Sequence, residues 1–195
     1  MAFGRKRAHP AGSATAEVAT EVLGTERLRL RRLVLDDAPF ILRLVNDPSW
    51  LEFIGDKGVR TEDDARHYLA QGPIDMYARL GFGLYLVELR DGGAPIGHSG
   101  DPIGICGLIK RESLADVDLG FAYLPEFRGK GYAYEAALAV MMHAKRDYTI
   151  RRLVAITAPT NEKSMRLLRR LGMTLEQSID LPRDGGKSLL FATTL

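Results

Sequence analysis

Three strand-like runs stand close together in the middle of the chain, and the last is stopped by a proline and turned by glycines straight into a helix-like segment. The runs are Phe82 to Leu89, Ile103 to Lys110 and Val117 to Leu124; Pro125 and Arg128-Gly129-Lys130-Gly131 follow, then an alanine-rich stretch to about Lys145. Phe82–Leu89 is almost wholly apolar, as in a strand covered on both faces. In the third run, period two sets Val117, Leu119, Phe121 and Tyr123 on one face. Consecutive strands that then give way to a helix exclude a strictly alternating doubly wound fold.

The flanks extend the pattern. Arg27 to Val34 alternates leucine with arginine, the mark of a half-exposed strand. Asp36 or Asp37 caps a helix with Pro39 in its first turn and Phe40, Ile41, Leu44 and Val45 on one face, closed at Asn46-Asp47-Pro48. Thr61 and Asp64 have the spacing of a capping box that opens a helix to about Leu69. Gly72-Pro73 breaks it before a short segment to Leu80. Downstream come a strand over Leu153–Thr157, a helix from Asn161 to Leu171 stopped by Gly172, and a last strand over Ser188–Thr194. Between Asp91 and Ile103 a repeated Pro-Ile-Gly predicts a long loop. The order β-α-α-β-β-β-α-β-α-β predicts an α+β domain around a mixed, mostly antiparallel sheet.

Charge and cysteine usage narrow the function. Lys+Arg 27 against Asp+Glu 25 is too balanced for a dedicated nucleic-acid binder. No apolar run approaches the ~20 residues of a bilayer span. The single cysteine, Cys106, excludes an internal disulfide and a multi-cysteine metal site and suits a reducing, cytoplasmic setting. Its neighbours Ile105 and Gly107 suit a buried structural thiol. His67, His98 and His143 lack metal-ligand spacing, so no metal is expected. Residues 1–24, with Arg5-Lys6-Arg7, are expected to form a flexible tail, and 25–195 the folded domain.

The segment Tyr123–Ala133 carries the chemistry. Its glycines permit positive φ and expose successive amides. The helix start behind them adds unsatisfied N–H donors and partial positive charge. Arg128 and Lys130 add full charges, so the segment reads as a pyrophosphate cradle. It is not a dinucleotide fingerprint, because the third glycine is replaced by Tyr134. Gly186-Lys187-Ser188 is not a P-loop, because Leu181 stands where the first glycine belongs, and it reads instead as a hairpin turn.

Arg128-Gly129-Lys130-Gly131-Tyr132-Ala133 resembles the coenzyme A signature [QR]-x-x-G-x-[GA] of the GNAT acyltransferases. The preceding V-D-L-G-F-A-Y-L-P and the following N-E-K-S-M-R-L-L-R-R-L-G-M, Asn161 to Met173, are similar to that family's flanking elements. T-E-R-L-R-L-R-R-L, D-D-A-P-F and I-G-I-C-G-L resemble the branch containing the ribosomal-protein (alanine) N-acetyltransferases. The resemblance runs from about Thr25 to the C-terminus. It implies the GNAT acyl-CoA N-acyltransferase fold, with helices on both faces of the sheet and a slot for the pantetheine arm beside the third strand. It further implies that the backbone of Ala122, Tyr123 and Leu124 holds the pantetheine amides and the thioester oxygen. By the same resemblance Arg128, Gly129, Lys130, Gly131, Tyr132 and Ala133 hold the pyrophosphate, and Asn161 contacts the arm.

The implied activity is acetyl transfer from acetyl-CoA to a primary amine, on a protein N-terminus or a small molecule, by direct attack in a ternary complex. A monomer or homodimer with no nucleic-acid or membrane partner is expected. Many family members protonate the sulfur with a tyrosine seven residues after the asparagine; here that position is Leu168. Ser164 is therefore the expected leaving-group residue. Asp118 is the candidate base, with Asp116 and Glu135 as alternatives. Trp50, Phe53, Tyr68 and Tyr77 lie in the region that forms the acceptor wall in this fold. The Leu168 departure also motivates an alternative, a non-catalytic acyl-CoA-binding sensor or scaffold.

Overall fold

A computed structural model of the chain describes residues 19–90, 100–181 and 186–195. The strands are β1 (Glu21–Gly24), β2 (Leu28–Arg32), β3 (Leu84–Leu89), β4 (Pro102–Ile109), β5 (Val117–Tyr123), β6 (Arg152–Thr157), β7 (Thr174–Leu181) and β8 (Gly186–Thr194). They form one sheet in the order β1-β2-β3-β4-β5-β6-β8-β7. Every neighbouring pair is antiparallel except β5 and β6. The α+β architecture with a mixed, mostly antiparallel sheet is therefore as the sequence predicts.

The helices are α1 (Ala38–Val45), α2 (Pro48–Phe53), α3 (Glu62–Leu69), α4 (Asp75–Leu80), α5 (Tyr132–Tyr148) and α6 (Glu162–Arg170). The expected capping box opens α3: Asp64 N–H donates to Thr61 Oγ1 at 3.1 Å and Thr61 N–H donates to Asp64 Oδ2 at 2.9 Å. Buried α5 residues Ala136, Ala137, Val140 and Ala144 pack on one sheet face, where His143 meets Tyr85 of β3 edge to face. Small side chains let that helix lie close to the strands.

Four details differ from the sequence expectation. The sheet begins at Glu21, because β1 pairs with β2 as an edge strand, so the folded domain starts ahead of Thr25. The basic Arg5-Lys6-Arg7 and residues 91–99 of the expected loop, with the first Pro-Ile-Gly and His98, lie outside the described residues, while the second Pro-Ile-Gly, Pro102 to Gly104, opens β4. The first helix does close at Asn46-Asp47-Pro48, ending at Val45 with Asn46 as its C-cap, but the chain does not leave helical structure there: Asp47 caps a further short helix, α2, by accepting the Ser49 N–H at 3.1 Å. Gly72-Pro73 does not break the helical path either. The chain widens into a π-turn over Ala70–Ile74, which absorbs the missing proline N–H and continues into α4. Finally, Thr174–Leu181, a mixed polar and apolar run, pairs with β8 as β7.

One buried charge cluster fixes the corner between β2 and α1. Arg31 donates from Nη1 and Nη2 to Asp37 at 2.8 and 2.7 Å and from Nε to Glu88 at 2.6 Å. Burial alone would lower the Arg31 pKa, but these two carboxylates outweigh it and hold the guanidinium charged. Removing one member strands the others in a low-dielectric site. Arg31→Ala should therefore lower the unfolding free energy by about 3–5 kcal/mol, read from the urea midpoint at constant m-value.

Candidate active site

The parallel pair is the break in the sheet. β5 and β6 are in register only at Val117 with Leu153 and Asp118 with Val154. Beyond that β5 stays paired with β4 as far as Tyr123, and β6 stays paired with β8 as far as Thr157. The two halves of the sheet diverge, and a cleft of about 1450 Å³ opens there. One limb is lined by Gly129, Gly131, Ala133, Tyr134, Asn161 and Ser164, the other by Trp50, Phe53, Tyr68, Met76 and Leu84.

The register decides which backbone groups the cleft receives. Leu124 N–H donates to Ile103 O at 3.0 Å, and Gly104 lies opposite Tyr123. In an antiparallel ladder alternate residues turn their polar groups to the same neighbour. Ala122 and Leu124 therefore direct their amides at β4, and a Cβ on Gly104 would sit 2.5 Å from Ala122 O. Of the strand end, the amides of Phe121 and Tyr123, not those of Ala122 and Leu124, face the gap. Phe121 was missed because strand parity relative to a neighbour needs the register, which the sequence does not carry.

The loop after β5 is arranged as a backbone cradle. Gly129 and Gly131 have φ of 76° and 84°, a region that a β-carbon disfavours. The first amide to donate within α5 is that of Glu135, to Gly131 O at 3.0 Å. The preceding helix-start amides have no acceptor inside the helix. Among the described residues, the amides of Gly129, Lys130 and Gly131 likewise donate to no acceptor.

The loop's charged side chains turn elsewhere. Arg128 donates to Tyr123 O, Ser49 Oγ and Asp47 Oδ1 at 2.8, 2.6 and 2.6 Å. Lys130 Nζ folds back onto Glu126 O at 2.7 Å. The groups the loop leaves unpaired are thus amides and the helix start, with the two cations acting as braces.

A second brace comes from the β1–β2 turn. Arg27 Nη1 donates to Lys130 O at 3.1 Å, and its guanidinium lies 4.7 Å from the Tyr132 ring centroid. Glu135 receives Arg27 Nε at 2.7 Å and the Thr25 hydroxyl at 2.6 Å. Burial would raise the Glu135 pKa, yet these donors hold its carboxyl below the usual range. Tyr132 is buried beneath this brace, supports the loop and belongs to the lining of the cleft.

The three candidate bases are all engaged in ion pairs. Asp118, 1% exposed, is bound by Arg111 Nε at 2.6 Å. Asp116 is bound by Arg152 at 2.9 Å, and Glu135 by Arg27. Asn161 caps α6 by accepting the Ser164 N–H at 3.0 Å, so the asparagine and serine are held together at the cleft wall. Leu168 is fully buried and faces the core, while Leu167 lines the cleft. Trp50, Phe53 and Tyr68 do line the cleft. Tyr77 does not: its hydroxyl accepts Leu33 N–H at 3.1 Å and donates to Leu84 O, inside the core.

Cys106 is buried, and burial pushes its thiol up to about 12, so it is inert. Among the described residues no cluster of three or more His, Cys, Asp or Glu could hold a metal, and no helix is long and apolar enough to cross a membrane.

A divided sheet that opens on an amide-rich turn has close counterparts. The family model described as Acetyltransferase (GNAT) domain matches residues 27–174. The Bacillus subtilis (strain 168) protein named Uncharacterized N-acetyltransferase YnaD is 27% identical over 152 residues, covering 78% of this chain and 82% of that one. In structure, the chain is similar to RimL, the ribosomal L7/L12 alpha-N-protein acetyltransferase solved with coenzyme A, at TM-score 0.74 and 21% identity, covering 90% and 98% of the two chains. It is also similar to the ribosomal-protein-S5-alanine acetyltransferase from Vibrio fischeri, at TM-score 0.70 and 19% identity, covering 91% and 97%. With the family model matched over most of the folded chain and the cleft built as that fold requires, the chain belongs to the GNAT acetyltransferases, enzymes that take their acyl group from acetyl-CoA.

Proposed function

We propose that the chain moves an acetyl group from acetyl-CoA to a primary amine, either a protein N-terminus or a small-molecule amine, by direct attack within a ternary complex. The observation that carries this is the union, in one cleft, of the β5–β6 gap, the amide cradle and an aromatic-walled second limb. A phosphate-bearing thioester and an amine can then meet at the end of β5. The likeness to ribosomal-protein acetyltransferases supports a peptide N-terminus as the acceptor.

The residues divide the work as follows. The amides of Gly129, Lys130 and Gly131, with the start of α5, hold the pyrophosphate. Phe121 offers its amide and carbonyl to the pantetheine arm, as a further strand would. Tyr123 N–H lies at the end of the same strand and takes the developing oxyanion, a contact typically worth about 3 kcal/mol. Holding thioester and amine together removes most of the entropy of a bimolecular encounter.

Ser164, on the first turn of α6, supports the departing thiolate, which needs only modest help because a thiol pKa, about 8.5, is far below that of an alcohol or amine leaving group. Asn161 fixes that turn and contacts the arm. The amine proton leaves to water in the open cleft. Asp118, buried in the cleft lining and paired with Arg111, acts as a strut of the active-site strand rather than as the base.

Calorimetric titration with acetyl-CoA, against NAD as control, should give binding of acetyl-CoA alone. Acetyl-CoA binding with no thiol release across a panel of peptides and small amines would instead support the non-catalytic sensor. Gly131→Val should abolish cofactor binding, because the substitution crowds the cradle, and should cost about 1–2 kcal/mol of stability for a branched residue at positive φ. Unchanged acetyl-CoA affinity in that variant would overturn the cradle assignment. Ser164→Ala should lower kcat about tenfold or more with little change in the acetyl-CoA KM, whereas a change in KM alone would remove its leaving-group role.

A further inference from the structure

We propose that Arg128 is a positioning residue that ties the cofactor loop to the acceptor wall, so that filling the loop shifts α2 and the tryptophan it carries. The inference rests on the acetyl-CoA reading above and deepens it. All three guanidinium nitrogens of Arg128 are used, and they join three different pieces of the fold. Nε is held by Tyr123 O at the end of β5, Nη1 by Ser49 Oγ and Nη2 by Asp47 Oδ1, the last two at 2.6 Å. Ser49 lies in the first turn of α2, and Asp47 is the cap of that helix. The contacts span 79 and 81 residues of sequence, so only the tertiary fold brings them together.

The pair is built to transmit position. The Asp47 side chain is 7% exposed and Arg128 33%, so the bridge is largely shielded from water. Burial pushes the Asp47 pKa up, but the Arg128 hydrogen bond and charge outweigh that and hold the carboxyl below the usual range. By contrast, Arg43–Glu126, which links α1 to the same turn, is 63% and 40% exposed and is a surface pair of small worth. A planar guanidinium fixes three directions at once, which a lysine ammonium cannot do.

What Arg128 grips is the acceptor wall. Trp50 and Phe53 are carried on α2 and line the second limb of the cleft. On the other flank of the loop, Arg27 holds Lys130 O. The loop is thus pinned to the β1–β2 turn on one side and to α2 on the other. A ligand that draws the amides of Gly129–Gly131 inward also draws on Arg128, and through Asp47 and Ser49 on the first turn of α2.

The chain has one tryptophan, so Trp50 is a built-in reporter of α2. The experiment titrates the full chain with coenzyme A, following binding by calorimetry and Trp50 emission and acrylamide quenching in parallel. In the wild type, saturation should shift the emission and change the quenching. Asp47→Asn keeps a good helix cap while removing the charge that Arg128 holds. That variant should bind coenzyme A within about threefold of the wild type but lose at least about half of the Trp50 response. Ser49→Ala removes only one of the three bonds, should show a smaller loss, and serves as the test if Asp47→Asn does not fold.

A full Trp50 response in these variants would overturn the proposal, as would wild-type binding that leaves Trp50 silent. So would a loss of affinity beyond about tenfold with the remaining response intact, which would make the bridge a support of the loop alone. A wild-type chain that binds no coenzyme A in the calorimeter would overturn the acetyl-CoA reading itself, and so separates that failure from the failure of the coupling.

Discussion

The parting of β5 from β6 is the constraint on which the rest of the molecule depends. Two paired positions join the halves of the sheet, and then the strands separate. Backbone amides and carbonyls left without a strand neighbour must find other partners, because a buried unpaired group costs the full desolvation penalty. The fold leaves this edge wet and open, and the open edge is the slot. A flat, fully paired sheet with the same side chains would be more regular and would have nowhere to put an extended ligand.

Around that opening the fold divides its labour between backbone and side chain. Partial charges on amides and at a helix start lie toward the slot, while the full charges of Arg128 and Lys130 are turned back into the protein as braces. Glu135 with Arg27, Asp118 with Arg111, and Asp37 and Glu88 with Arg31 show the same tactic at other corners. Each carboxylate is matched by a guanidinium, bidentate for Asp37, and several of these pairs are shielded from solvent. Paired charges of this kind add little net stability but penalise any arrangement that separates them. They tie the walls of the cleft to one another, so that a displacement of one is felt by the next.

Much of this was legible in the chain. The capping box at Thr61 and Asp64, the three central strands and the glycine turn all announce themselves locally, because each depends on a short-range rule. What escaped depends on partners distant in sequence. β7 is a mixed run that is a strand because β8 lies beside it. α2 is six residues long, and its proline reads as a stop for α1 just as well as a start for a new helix. The Gly72-Pro73 pair reads as a break, yet packing keeps the path helical through a widened turn. At the site, the motif marks the loop and the strand end, but it cannot say that Phe121 rather than Ala122 turns to the gap, nor that Arg128 reaches for α2. Both facts are set by a register and a long-range ion pair.

The sealed position of Cys106 has a practical side. The chain's one thiol lies in the core, and its proton is held more tightly than that of an exposed cysteine. Folded chains are therefore silent toward disulfide reagents, so free thiol appearing during turnover comes from the product rather than the enzyme. The same silence makes the residue a counter of unfolded molecules. With an alkylating reagent present, an opening of the β4–β5 region deep enough to bare Cys106 is recorded covalently, and where alkylation outpaces reclosing the rate of labelling measures how often the centre of the sheet comes apart.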